Sequence, residues 1–136
     1  MLILPSPDEL DTLLGERVLL LDGAMGTMVQ ALHLDEAAVR GERFADHHKD
    51  LVRLTDILCL THPDAITEIH RKYLEAGADI VETNTFNASP VGLVEFELPP
   101  EVVREINFAA VRCARAAVEE MNARTPDRPR FVAGSI

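Results

Sequence analysis

The residues best suited to chemistry gather in two short runs. The first is Asp22-Gly23-Ala24-Met25-Gly26-Thr27. Its glycines let the main chain turn tightly and bring N–H groups close to a ligand. The Asp22 carboxylate suits an ammonium group and the backbone donors beside it suit a carboxylate. Together they fit an amino acid zwitterion. The alternative is that Asp22 caps a helical turn over Met25–Leu32 and the glycines serve only the bend. Neither G-x-x-x-x-G-K-[ST] nor G-x-G-x-x-G occurs, so nothing here supports phosphate binding.

The second run is Glu82-Thr83-Asn84-Thr85-Phe86-Asn87. Strand alternation would put Glu82 and Asn84 on one side, Thr83 and Thr85 on the other. Asn and Thr at the mouth of a sheet orient a polar substrate by hydrogen bonds. Asp22 and Glu82 would otherwise form a carboxylate pair, for a divalent metal or for acid–base work, or Glu82 would pair with a basic neighbour. A third candidate place is Gly134-Ser135.

The other reactive side chains read more plainly. Cys59 and Cys113 are the two cysteines, too few for a disulfide scaffold and without a C-x-x-C partner. Their apolar surroundings predict buried free thiols in a reducing cytoplasm. His47 and His48 are adjacent, so they diverge and suit a solvated loop. His62 precedes Pro63 and suits a helix start. His70, among Ile66, Ile69 and Tyr73, reads as a hydrogen-bonded core histidine. H-E-x-x-H and G-x-S-x-G are absent.

Positioning these groups requires alternating strands and helices. A polar lead-in over residues 1–16 carries a short helix around Glu9–Leu14. Val18-Leu19-Leu20-Leu21 is an uninterrupted apolar run, the pattern of a strand buried on both faces. A long connection over residues 24–62 follows, with an apolar stretch at Ile57–Leu60. Pro63 opens and Gly77 closes a helix whose apolar face is Ile66, Ile69, His70, Tyr73 and Leu74. Ile80–Asn84 reads as a strand. A helix from about Pro100 buries Val102, Ile106, Ala109, Cys113 and Ala117, and Phe131–Gly134 reads as a third strand. This order predicts parallel strands with helical crossovers. In such folds ligands bind beyond the carboxyl ends of the strands, where the candidate runs fall.

Composition sets the outer limits. The 136 residues are 47% hydrophobic and 26% charged, those of an ordinary globular chain. The 23 acidic against 13 basic residues give a formal net charge of −10, which argues against nucleic acid as a partner. No apolar run approaches the roughly 20 residues of a membrane helix, and no secretory signal opens the chain. A cytoplasmic location is expected. Three parallel strands leave open edges, so the chain reads as the first part of something larger.

Five blocks carry a resemblance. They are VLLLDGAMGTMVQ (Val18–Gln30), RGERFADHHKDL (Arg40–Leu51), AGADIVETNTFNAS (Ala76–Ser89), REINFAAVRCAR (Arg104–Arg115) and RPRFVAGSI (Arg128–Ile136). In this order and spacing they resemble the homocysteine-binding module of cobalamin-dependent methionine synthase. The resemblance implies that residues 17–136 are the amino-terminal part of a TIM-type (β/α)₈ barrel, its first three parallel strands with their helices. It implies homocysteine as substrate, activated on zinc held by three cysteines, with methylcobalamin as methyl donor. Cobalamin and folate modules of a parent enzyme would be partners. By the same resemblance Asp22 contacts the homocysteine amino group, Gly23 and Ala24 adjoin its carboxylate, and Asn84 and Asn87 line the pocket. Cys59 and Cys113 lack the context of the zinc cysteines, so no metal ligand and no catalytic residue is assigned in this chain. Leu51–Asp56 departs from the family's usual turn. A chain of this length cannot close a barrel of about 250 residues, so alone it is expected to be inactive and free of cofactors. Other readings are a carboxylate–metal lyase or aldolase using Asp22 and Glu82, and a non-catalytic truncated product.

Overall fold

A computed structural model describes residues 5–135 of the chain. Its elements are α1 (Pro7–Glu16), α2 (Met25–Gln30), α3 (Glu36–Arg40), α4 (Leu58–Thr61), α5 (Pro63–Ala76), β1 (Ile80–Glu82), α6 (Pro100–Arg124) and β2 (Phe131–Ala133). Short 3₁₀ turns lie at Thr55–Ile57 and Val94–Phe96. The first four residues of the expected lead-in, and Ile136, lie outside the described residues.

The α/β order is as expected, with a smaller sheet. β1 and β2 pair in parallel, Ile80 opposite Phe131 and Glu82 opposite Ala133. The predicted first strand at Val18–Leu21 is corrected: it contributes a single parallel bridge, Leu21 to Ile80. Asp79 and Ile80 donate N–H to Leu20 O, and Asp22 N–H donates back to Ile80 O at 2.9 Å. The expected burial on both faces is also corrected, since Val18 is 83%, Leu20 56% and Leu21 53% exposed. The segment has β1 along one side as its ladder partner. Four consecutive apolar residues therefore meet too few neighbours to be covered.

The helices follow from local chemistry. Ser6 caps α1, accepting from Glu9 N while Glu9 reaches back to Ser6 N, a reciprocal capping box. Asp35 caps α3 by accepting from Ala38 N at 2.8 Å. Pro63 occupies the first turn of α5, and Gly77 ends it with φ 118°. His62 stands at the α5 N-cap position without a side-chain capping bond; its Nδ1 lies 3.0 Å from Thr61 Oγ1.

α5 and α6 form the main layer against the sheet. The expected stripe of Val102, Ile106, Ala109, Cys113 and Ala117 is buried, together with Ala110, Ala114 and Val118. Four alanines on one face of α6 let the helices approach closely, so the small residues are a packing requirement. A larger cluster holds Leu51, Leu54, Ile57, Leu58, Ile66, Ile69 and Phe96; a smaller one joins Leu74, Val81 and Met121.

The connection before α4 is stitched by charge. Glu36 accepts N–H donors from Leu51 and Val52, both at 2.7 Å, and pairs with Arg40. Arg40 also donates to the carbonyls of His47 and Lys49. His47 Nε2 lies 2.7 Å from Phe96 O, and His48 pairs with Glu97 at 2.6 Å. The His pair lies in a loop as expected, His48 largely in solvent, and is tied to residues 94–97.

Asp79, 1% exposed, sits where the chain enters β1. Arg17 grips it through two nitrogens at 2.9 and 3.0 Å, Arg128 donates at 3.1 Å, and Leu20 N–H donates at 3.0 Å. The first of these, the Arg17 hydrogen bond, holds its carboxyl well below the usual range.

His70 departs from the expected hydrogen-bonded core histidine. It is fully buried, and neither ring nitrogen has a partner. Burial depresses its pKa from 6.5 to about 4. Because the folded value lies below the unfolded one, the chain loses stability as pH falls from about 6.5 toward 4. Replacing the imidazole by a group that does not titrate removes that loss. His70→Leu should therefore flatten the acid limb of a urea-stability profile between pH 7 and 4, by on the order of 3 kcal/mol. An unchanged slope would show that His70 is not the group being protonated.

Candidate functional site

Asp22, Gly23, Ala24, Asn84 and Asn87 all line one cavity of about 430 Å³ at the carboxyl ends of the strands. Met25, Gly26, Thr55, Glu82, Thr83, Thr85, Phe86 and Ser135 complete its wall. The third candidate place thus enters the same cavity through Ser135. A flank cavity of about 420 Å³ lies between α1, α6 and β2, lined mostly by apolar side chains with Arg115, Arg130 and Thr83. The rim cavity is the better candidate, because polar groups from several strand ends converge there.

Asp22 does not cap α2. The N-cap residue is Ala24, which makes no side-chain capping bond. Instead Asp22 Oδ2 accepts the Glu82 N–H at 3.2 Å, across the ladder. Half-burial, and secondarily the Glu82 charge, raise its pKa to about 6 although hydrogen bonds pull the other way. A carboxylate in that state is poised to accept a cation or a proton. Gly23 follows at a close approach: a Cβ there would stand 3.1 Å from the Tyr73 ring, whose hydroxyl donates to Ala24 O at 3.1 Å.

On the β1 side, Thr83 and Thr85 share one direction as alternation requires, their hydroxyls 2.9 Å apart. Ser135 N–H donates to Thr83 Oγ1, and Thr85 Oγ1 donates to Ser135 O, which binds the two strand ends together. Asn84 is 5% exposed and donates to Thr55 O at 2.9 Å and Cys59 Sγ at 3.7 Å. Asn87 is held by Asp56, whose Oδ1 accepts its N–H at 2.7 Å and whose Oδ2 accepts its side-chain amide at 3.3 Å. Both asparagines thus donate side-chain N–H groups to the protein, which fixes the shape of their loop, and no described hydrogen bond occupies either amide oxygen.

Sequence reasoning missed Asp56, Thr55, Tyr73 and Gly92 as parts of this site. Asp56 carried one faint signal, an acid within the otherwise apolar Leu54–Leu60 stretch. Gly92 permits the Asn87 main chain to pass: a Cβ at Gly92 would lie 2.4 Å from Asn87 O.

The thiols belong elsewhere. Cys59 and Cys113 are free and buried, as expected. Cys59 Sγ donates to Asn84 O at 3.8 Å. The neighbouring Cys113 thiol and burial raise Cys59 far above the ordinary thiol range, and Cys113 is drawn below its ordinary value. Cys113 also donates to Pro63 O at 3.5 Å. Among the described residues no three His, Cys, Asp or Glu side chains are grouped to hold a metal ion, and no helix is long and apolar enough to cross a membrane.

Residues 19–136 match the family model for homocysteine S-methyltransferase. Solved structures of the homocysteine methyltransferase MmuM from Escherichia coli are similar over nearly the whole chain. The oxidized form is 29% identical with a TM-score of 0.71, over 92% of this chain and 39% of that one. The metallated form is also 29% identical with a TM-score of 0.71, over 93% of this chain and 40% of that one. The apo form is 26% identical with a TM-score of 0.65. The chain thus spans about two fifths of the length of these proteins.

The Gly92 contact has a measurable consequence. Gly92→Ala forces a main-chain shift at Asn87, and overpacking of this kind costs about 1–3 kcal/mol. The urea midpoint should fall accordingly, whereas a midpoint equal to wild type would show that the loop gives way freely.

Proposed function

Since the chain belongs to the homocysteine S-methyltransferase family, we propose that the rim cavity holds homocysteine, whose sulfur accepts a methyl group to give methionine. Asp22 binds the ammonium group, and the backbone at Gly23 and Ala24 receives the carboxylate. Asn84 and Asn87 shape the wall opposite. The observation that carries this reading is Asp22 itself, a half-buried carboxylate with a raised pKa, beside glycine backbone and facing the cavity. A bound ammonium supplies the counter-charge that burial makes valuable. At about 430 Å³ the cavity is large enough for an amino acid.

The parent activity we assign is methyl transfer of the methionine synthase type, with methylcobalamin as donor and cobalamin and folate modules as partners. Five sequence blocks support it. The family resemblance also brings zinc, which would lower the pKa of the substrate thiol. This chain's residues do not fit that metal. Its two thiols are buried in the core, and among the described residues no three His, Cys, Asp or Glu side chains are grouped to hold an ion. The chain's own part is to bind and orient the acceptor.

The test is the pH dependence of binding. Only ionised Asp22 attracts the ammonium group. With its pKa at about 6, affinity for L-homocysteine by calorimetry should fall about tenfold between pH 7 and pH 5. Asp22→Asn should bind weakly and show no such slope. Wild-type affinity in that variant would end the assignment.

A further inference from the structure

Asp56 is a fully buried carboxylate, and none of the described ion pairs includes it. A buried charge without a cation persists only when hydrogen-bond donors satisfy it. Here those donors come from the loop that leaves β1, through the Asn87 N–H at 2.7 Å and the Asn87 side-chain amide at 3.3 Å. Asp56 itself stands in the Thr55–Ile57 turn, which leads into α4 within the larger core cluster. The turn is rigidly seated: Leu54 and Ile57 on either side are fully buried. Its carbonyl at Thr55 also receives the Asn84 amide. Two successive residues of one buried turn therefore hold both asparagines of the cavity wall.

We infer that Asp56 is a positioning residue: its carboxylate fixes the Asn84–Ala88 loop through Asn87, and so sets the affinity of the rim cavity for its amino acid. The substrate half of this statement rests on the homocysteine reading above; the loop-fixing half does not. Asp56→Leu is of similar size but offers no acceptor. Both Asn87 donors then lose their partner, which releases the loop with little change in volume.

Two measurements on the full chain decide it. Titration of L-homocysteine should show at least tenfold weaker binding for Asp56→Leu, with a cooperative thermal transition retained. Asn87→Ala, on the less buried partner, should also weaken binding, and the double variant should be no weaker than the worse single one. Fully additive losses, or wild-type affinity in either single variant, would overturn the inference. Amide hydrogen exchange supplies an arm independent of ligand. The Asn87 N–H should be protected in wild type and exchange at loop rates in Asp56→Leu. Should that variant fail to fold, the arm is read on wild type, where a rapidly exchanging Asn87 N–H overturns loop fixing. Absence of any homocysteine binding by wild type would refute the homocysteine reading, and the exchange result would still decide the role of Asp56.

Discussion

Everything at the rim depends on the charge cluster at the opposite end of the sheet. Asp79 draws Arg17, Arg128 and the Leu20 N–H onto one carboxylate. Arg17 precedes the apolar edge segment, Asp79 opens β1 and Arg128 precedes β2, so a single buried acid sets the relative stagger of the chain at all three places. Both arginines keep about two fifths of their side-chain surface in solvent. They carry charge to the acid while their own hydration is largely kept, which limits the desolvation cost. Once that stagger is set, Asp22 and the Glu82 N–H arrive side by side at the far end.

Two acids with contrasting surroundings divide the labour. Asp79 is satisfied by cations and stays ionised; Asp56 is satisfied by the amide donors of one loop, and burial raises its pKa. The first fixes strands and the second fixes the loop beyond them. Asp22, between these extremes, keeps an unmet demand for positive charge. In a family of homocysteine S-methyltransferases, that unmet demand is the property a binding site needs.

Much of this was legible in the residues. The α5 and α6 stripes, with Gly77 as the stop between α5 and β1, follow from spacing and breakers, because helical periodicity depends on near neighbours. Asp22 and Gly23 stood out as a carboxylate beside glycine at the end of an apolar run, a pattern that ordinary turns share. The apolar run at Val18–Leu21 misled, since burial is decided by which strands lie alongside and a run of four residues does not encode its neighbours. His70 lies in the core as its apolar neighbours imply, but the hydrogen bonds expected with it are not made, because its partners would have to come from distant parts of the chain. Asp56 and Gly92 escaped notice for the same reason: each acts on Asn87, at 31 residues' separation for Asp56 and through an approach no local pattern reveals for Gly92.

The two buried thiols give the molecule an internal clock. Cys59 lies on α4 and Cys113 on α6, both sealed within one apolar cluster. A bulky alkylating reagent can reach either sulfur only while those helices stand apart. Its rate of incorporation therefore counts the openings of the native state. Because Cys59 also touches Asn84, the same clock reports how often the wall of the cavity loosens.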